Sequence, residues 1–212
     1  MKTIPWFGRI MVTGLACACL AGCFGKQPPV ERYLRVRIDN PPCQGETVQQ
    51  RLPLGMKPLK ALENLDRTSV MTARDQVLTP SLQFYWEGAP QDIVGQVLRQ
   101  AIECQSKTMM PVDYQPRVDH AAVLTGQLTA FNVEETEGGR FVVSLHLDLW
   151  TKNSGARVAT GDFNAYFPLE DFQGPTVAKA ASNALGRVVP KVIDWLDASL
   201  PRVEKANKQQ QQ

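Results

Sequence analysis

Three runs of the chain alternate between apolar and polar side chains, which is the pattern of strands with one buried face. They cover residues 123–134, 141–150 and 159–167, and the short segments between them contain glycine. This spacing predicts an antiparallel meander with tight connections. One face of the meander is apolar and the other mixed, so we expect one face to meet helices and the other to be partly wet.

Earlier parts of the chain predict further strands at residues 33–38, 69–78 and 82–86. The first is followed by Asn40-Pro41-Pro42, which stops a strand. Leucines between residues 43 and 68 are scattered among prolines and a glycine, so no regular element is predicted there.

Two segments repeat apolar residues at helical spacing. The first is a helix of about 14 residues that starts at Ala89-Pro90-Gln91-Asp92, where proline costs no hydrogen bond and Asp92 suits the positive helix end. The second runs from about Pro175 to Leu200, and Pro190 should kink or split it. Residues 201–212, which end in four glutamines, are predicted to be a disordered tail.

The order of elements is strands, helix, strands, helix. It predicts an α+β fold over residues 32–200, with two main helices on one face of a largely antiparallel or mixed sheet.

The first residues have the layout of a secretory signal peptide. Lys2 and Arg9 are basic, and Ile10 to Leu20 form an uncharged apolar core that is too short to span a bilayer, which takes about 20 residues. Small residues follow, as a processing site requires. We expect residues 1–22 to be removed.

Leu20-Ala21-Gly22-Cys23 resembles the lipobox of bacterial lipoproteins. The resemblance implies cleavage between Gly22 and Cys23, with S-diacylglycerol and an N-acyl chain such as palmitate on Cys23. Cys17 and Cys19 fit less well, because neither has a large aliphatic residue three positions upstream. Residues 23–31 would be a lipidated tether, and Phe24, not Asp, after the cysteine implies sorting to the outer membrane, with the domain on its periplasmic face.

Without the signal peptide, the net charge of the chain argues against a nucleic-acid partner. Loss of Lys2 and Arg9 from 23 basic residues leaves as many basic as acidic residues, of which there are 21. No nucleic-acid-binding surface is therefore expected.

Two cysteines, Cys43 and Cys104, remain after Cys23 is assigned to lipid. In an exported chain they could form a disulfide, and two unrelated buried thiols are the alternative.

Residues for catalysis are scarce. A nucleophilic enzyme usually needs a histidine beside its nucleophile, and the chain has only His120 and His146. Asp148 and Asp162 could face each other on neighbouring strands, but solvated sheet charges are the more ordinary explanation. Known metal, phosphate and nucleophile motifs are missing from residues 23–212, so we predict a protein that is not an enzyme and has no metal or cofactor.

The combined layout resembles the ABC-type transport auxiliary lipoprotein family, whose members accompany MCE-type and paraquat-inducible lipid transport systems. The resemblance lies in Cys23 with its tether, Tyr33-Leu34-Arg35-Val36, the Phe84-Tyr85-Trp86-Glu87 strand end that leads through Ala89-Pro90 into a helix, and Leu124-Thr125-Gly126-Gln127-Leu128. Residues 41–65 match less cleanly.

This resemblance implies a non-catalytic, lipid-anchored accessory subunit of an intermembrane phospholipid transporter, whose partner is an MCE-domain protein. The alternative is a lipid or lipopolysaccharide carrier that binds acyl chains between sheet and helices. Tyr85, Trp86 and Trp150 are candidates for partner docking, with completion of the core as the other explanation. A homo-oligomer stays open.

Overall fold

The elements of the fold follow each other in the order that the periodicity predicts, with additional strands. The computed structural model describes residues 30–38, 43, 51–135, 138–152 and 155–209. All elements belong to one compact unit, Glu31–Gln212. They are β1 (Arg32–Leu34), β2 (Leu52–Met56), β3 (Lys60–Ala61), β4 (Ser69–Arg74), β5 (Val77–Trp86), α1 (Pro90–Gln105), β6 (Met109–Asp113), β7 (Ala122–Glu134), β8 (Arg140–Thr151), β9 (Arg157–Pro168) and α2 (Gly174–Gln209).

The meander forms as the alternation predicts. Strands β7, β8 and β9 pair antiparallel over nearly their whole lengths. Along β8 every second residue is buried and the residues between are half-buried, so one face is dry and the other partly wet.

The sheet as a whole is mixed. The second edge of β7 pairs in parallel with β2, β3 and β4 in turn. Beyond β4 come β5, which is antiparallel to β4, and β1, which is parallel to β5, while β6 is parallel to β2. The prediction of an α+β fold with a largely antiparallel or mixed sheet is confirmed.

Both helices supply apolar side chains to the core on the dry face of the sheet. Trp86, Phe131 and Phe141 stand edge to face at its centre, with ring centroids 5.0 to 5.7 Å apart. Helix α2 adds small and branched side chains that allow close approach to the sheet. The buried residues of α2 include Val177, Ala180, Ala181, Ala184, Leu185, Val188, Val192, Ile193 and Leu196.

Several predicted strand bounds are wrong. The strand predicted over 33–38 ends at Leu34, because the Arg37 amide donates to Ser182 Oγ of α2 (3.1 Å) instead of a neighbouring strand. The predicted strand 69–78 is divided by a turn in which Asp75 and Gln76 have φ of 47° and 68°. A hairpin turn of this kind requires positive φ at both residues, and Asp75 is followed by Gln76 instead of the glycine that usually marks such a turn.

The end of α2 also corrects a prediction. The helix is continuous through Pro190 and Pro201 and reaches Gln209, so residues 201–209 are not a disordered tail. A proline inside a helix costs about 3 kcal/mol, and tertiary packing can offset that cost. Val203 is fully buried, and Asn207 Nδ2 donates to the Ala121 carbonyl oxygen (2.8 Å).

The outer edge of β9 is occupied by side chains of α2. Arg187 Nη1 donates to the Tyr166 carbonyl oxygen (2.8 Å) and Lys191 Nζ to that of Asn164 (3.2 Å). Charged groups on an edge discourage pairing with another chain. Among the described helices, none is long and apolar enough to cross a membrane.

Candidate functional site

The face of the sheet away from the helices carries a polar ladder across three strands. Gln127, His146 and Asp162 lie side by side on β7, β8 and β9, and Thr125, Asp148 and Thr160 form the next row. The rows share a face because residues two apart on a strand point the same way.

His146 lies between two carboxylates. Its Nδ1 is 2.6 Å from Asp162 Oδ1, and its Nε2 is 3.6 Å from Asp148 Oδ2. The hydrogen bond to Asp162 raises the pKa of the imidazole above its usual value, and partial desolvation opposes the rise. Asp148 also pairs with Arg157, whose Nη1 lies 3.3 Å from Asp148 Oδ1. The cluster is an ion-pair network around one imidazole.

The opposite wall comes from segments that follow β2 and β6. Lys57 Nζ lies 4.4 Å above the ring centroid of Tyr114, a cation–π contact. The ring of Tyr114 stacks on buried His120 with centroids 5.4 Å apart. His120 in turn lies against Gly55, where an added Cβ would come within 2.6 Å of the imidazole. Glycine at this position therefore lets the wall come close.

A groove of about 820 Å³ lies between these walls. Trp150 is half-buried at one side, where its Nε1 donates to Thr125 Oγ1 (2.9 Å). The groove lining is Lys57, Pro58, Leu59, Lys60, Tyr114, Thr125, Gly126, Gln127, His146, Asp148 and Trp150. It combines aromatic side chains, which are enriched at protein-binding surfaces, with apolar surface and charges of both signs.

Thr160, His146 and Asp162 have the order of a hydroxyl, an imidazole and a carboxylate in a nucleophilic triad, but the geometry does not suit catalysis. The Thr160 Oγ1 to His146 Nε2 distance is 3.5 Å, beyond a good hydrogen bond. Asp148 faces the same Nε2 and favours a proton there, whereas a general base must have that nitrogen free. The side chain of Asp162 is 80% exposed, so the pair also lacks the dry surroundings that strengthen catalytic electrostatics.

Metal binding is also not indicated. Within the part of the chain that the structure describes, no group of three or more His, Cys, Asp or Glu side chains is placed to hold a metal ion.

Comparisons with known proteins assign the family. The family model described as ABC-type transport auxiliary lipoprotein component matches residues 39–192, which is most of the chain. The chain belongs to this family. No curated protein matches the chain in sequence.

Similar solved structures support the fold. Protein XCC0632 from Xanthomonas campestris is 17% identical with a TM-score of 0.68, over 83% of this chain and 99% of that one. The hypothetical protein CT253 from Chlamydia trachomatis is 7% identical with a TM-score of 0.51, over 71% and 98%. At these identities the likeness shows the fold alone.

Membership of the family carries a coarse function and location. An auxiliary lipoprotein of an ABC-type transport system is anchored to a membrane, lies in the periplasm and associates with an ABC transporter.

The structure does not bring the three aromatic residues predicted for docking together. Trp86 is completely buried against Phe131 and Phe141, so its assignment to a docking surface is wrong. Tyr85 is half-buried on β5 beside Tyr33, and Trp150 is half-buried in the groove. Only Trp150 lies in the groove.

The predicted cysteine pair is joined in the structure. Cys43 and Cys104 form a disulfide with their Cα atoms 4.4 Å apart. Bonding in the exported protein stays a prediction that thiol labelling can test. The predicted cleavage and lipid sites, Gly22 and Cys23, lie outside the described residues.

Sequence reasoning missed the wall formed by Lys57 and Tyr114. Both residues follow short strands, β2 and β6, in segments without a clear period. The one available signal was composition, since Lys57-Pro58 and Tyr114 stand in polar, proline-containing segments typical of surface loops.

Proposed function

We propose that this protein is a non-catalytic accessory subunit of an ABC/MCE-type intermembrane phospholipid transport system, and that the groove beside Trp150 docks the MCE-domain protein. The lipid on Cys23 would anchor it to the outer membrane, with the domain in the periplasm. Family membership supports the transport role, and the lipobox supports the anchor.

The groove carries the docking part of the proposal. It is open, it lies on the partly wet face, and it offers a half-buried tryptophan beside Lys57, Lys60, His146 and Asp148. Tryptophan is enriched among residues that dominate binding energy, and charges of both signs around it favour a partner with a matching pattern.

The alternative, a carrier that holds acyl chains between sheet and helices, finds less support. A carrier needs an apolar cavity of about 300 Å³ or more. The side chains between the sheet and α2, from Val177 to Val203, are buried in one continuous core. An acyl chain in that space would first have to displace them.

Trp150→Ala in the full-length protein tests the groove. Affinity purification of the lipoprotein from membranes should recover the MCE-domain protein with wild type, and at least tenfold less with the variant, since a central tryptophan contributes about 2 kcal/mol or more. Tyr166→Ala is the matched control, because Tyr166 is 55% exposed on the same face of the sheet but does not line the groove.

Circular dichroism of both purified variants must match wild type, so that loss of capture is not loss of fold. Equal recovery of the MCE-domain protein with Trp150→Ala and Tyr166→Ala would remove the groove from the interface. Failure of wild type itself to recover that protein, with phospholipid bound to the isolated head instead, would favour the carrier.

A further inference from the structure

An exposed apolar surface on β1 and β5 lies apart from the groove. We call Tyr33, Leu82 and Tyr85 the tyrosine patch. Leu82 and Tyr33 are 75% and 65% exposed, among the highest values for large apolar residues in the described chain. The rings of Tyr33 and Tyr85 are 5.9 Å apart, and Tyr85 Oη lies 3.4 Å from the Leu82 carbonyl oxygen. The three residues are therefore contiguous.

The backbone holds Leu82 outward. The β4–β5 pairing skips from Ser69 opposite Tyr85 to Met71 opposite Pro80, so β5 bulges away from β4 at residues 81–83, and Phe84 next to them pairs with Arg32 of β1. Ser81 Oγ accepts hydrogen bonds from the amides of Gln83 (3.2 Å) and Phe84 (3.0 Å) and fixes this bulge. Bulges in a strand often change the direction of a side chain. The exposure of Leu82 is therefore set by the backbone of the bulge.

The position of the patch along the chain points to its occupant. Tyr33 follows Cys23 by ten residues, which span at most about 36 Å when fully extended. Once Cys23 carries its lipid, Tyr33 cannot move farther than that from the bilayer, and Leu82 and Tyr85 lie next to it. Tyrosine rings with an apolar body and a polar hydroxyl prefer the membrane interface.

Charge around the patch is balanced. Arg35 pairs with Glu87 at 2.5 Å, and the Tyr33 hydroxyl donates to Glu31 at 3.1 Å beside Arg32. Among residues 31–35 and Glu87, two arginines thus accompany two glutamates. Such a surface is not attracted by anionic headgroups in particular, so apolar contact is what it offers to a bilayer.

We propose that the tyrosine patch is a membrane-contact surface, in which Tyr33, Leu82 and Tyr85 enter the interfacial layer of the bilayer that holds the Cys23 lipid. The contact fixes how the domain is oriented on the membrane. It rests on the predicted lipidation of Cys23 and not on the identity of the transport partner.

Depth-dependent quenching tests the proposal on the lipidated full-length protein. An environment-sensitive fluorophore is attached through Leu82→Cys, and the protein is reconstituted in phosphatidylcholine vesicles that contain headgroup-nitroxide lipid. Val118→Cys is the matched control, because Val118 is 47% exposed in the segment between β6 and β7. Protein without an added cysteine measures labelling of Cys43 and Cys104.

We expect quenching at position 82 to exceed that at position 118 at least fivefold, with a blue-shifted emission. Adding Tyr33→Ser and Tyr85→Ser should reduce the difference at least twofold, while replacing a quarter of the lipid by phosphatidylglycerol should leave it unchanged. Equal quenching at both positions overturns the proposal, as does protein that fails to float with vesicles. Protection of position 82 only when the transporter is added also overturns it, in favour of a protein partner.

Discussion

Replacement of Trp86 by alanine should lower the free energy of unfolding by about 4 kcal/mol, within the range of about 3 to 5 kcal/mol for truncating buried aromatic residues. The side chain is 0% exposed and stands edge to face with Phe131 and Phe141 at 5.0 and 5.7 Å. Removing it leaves two rings without their central neighbour, and such pairs contribute about 0.5–1.5 kcal/mol each beyond area burial, within that total. Small domains have about 5–15 kcal/mol in all, so the variant should fold but be marginal.

Urea unfolding followed by far-ultraviolet circular dichroism measures this loss without relying on tryptophan fluorescence. Trp86→Phe refines the test. The Trp86 indole nitrogen has no acceptor among the described residues, and an unpaired buried N–H costs about 1–3 kcal/mol. Phenylalanine removes that cost while keeping a ring, so Trp86→Phe should lose less than half as much as Trp86→Ala. Tyr85→Ala, next to it but half-buried, is the control. A loss below about 1.5 kcal/mol for Trp86→Ala would refute the assignment of Trp86 to the core.

Three further predictions concern charge, cross-linking and the end of α2. The hydrogen bond to Asp162 raises the pKa of His146, so the charged imidazole stabilises the folded protein. This stabilisation is complete below the unfolded pKa of about 6.5 and is lost as pH rises through the folded pKa. The urea midpoints of wild type and Asp162→Asn should therefore differ below pH 6 and converge by pH 9. Because the pair is exposed, the difference should stay under about 1 kcal/mol, and a larger gap at pH 9 than at pH 6 would contradict it. Exported, unreduced protein should label at neither Cys43 nor Cys104 in denaturant, and their bond should add about 4 kcal/mol by the chain-entropy model; two reactive thiols would exclude it. Val203→Ser should cost about 2 kcal/mol in urea unfolding and the exposed neighbour Arg202→Ser less than about 0.5, whereas equal small effects would mean that the end of α2 does not pack.

The elements that the sequence predicts well are those whose pattern is local. In strand β8, five buried apolar residues alternate with half-buried positions. Helix α1 begins at a proline, which a helix tolerates in its first turn. Both signals depend on neighbours within a few residues, so tertiary structure had little to override.

Elements defined by distant partners were not predictable in this way. Strands β2, β3 and β6 have five residues or fewer, and they exist because they pair in parallel with β7 or with each other. Pro53, Gly55 and Pro58 hide them, since these residues normally mark turns. The helical segment 201–209 is similar. Its polar composition suggests disorder, and the burial of Val203 against the rest of the protein cannot be seen from local pattern.

Of the two walls of the groove, only the one formed by the sheet could be predicted from the sequence. His146, Asp148, Asp162 and Trp150 follow from the alternation of β8 and β9, which puts them on the mixed face. The pairing of His146 with Asp162, not Asp148 with Asp162, depends on the exact register between two strands. A shift of one residue would have turned the whole row to the other face, so periodicity alone cannot choose the partner. The opposing wall with Lys57 and Tyr114 needed the non-local strands as well.

The order of strands separates the two surfaces that we propose for binding. The helices use one face of the sheet for the core, and Arg187 and Lys191 occupy the β9 edge, whereas the open face and the β1 side stay available. The tyrosine patch lies on β1 and β5, while the groove lies on β7 and β8, with β4 between them. The patch and the groove are thus formed by different strands, so substitutions can test the two surfaces separately. If both proposals hold, the loss of membrane contact in Tyr33→Ser with Tyr85→Ser should leave capture of the MCE-domain protein intact, and Trp150→Ala should leave quenching at position 82 intact.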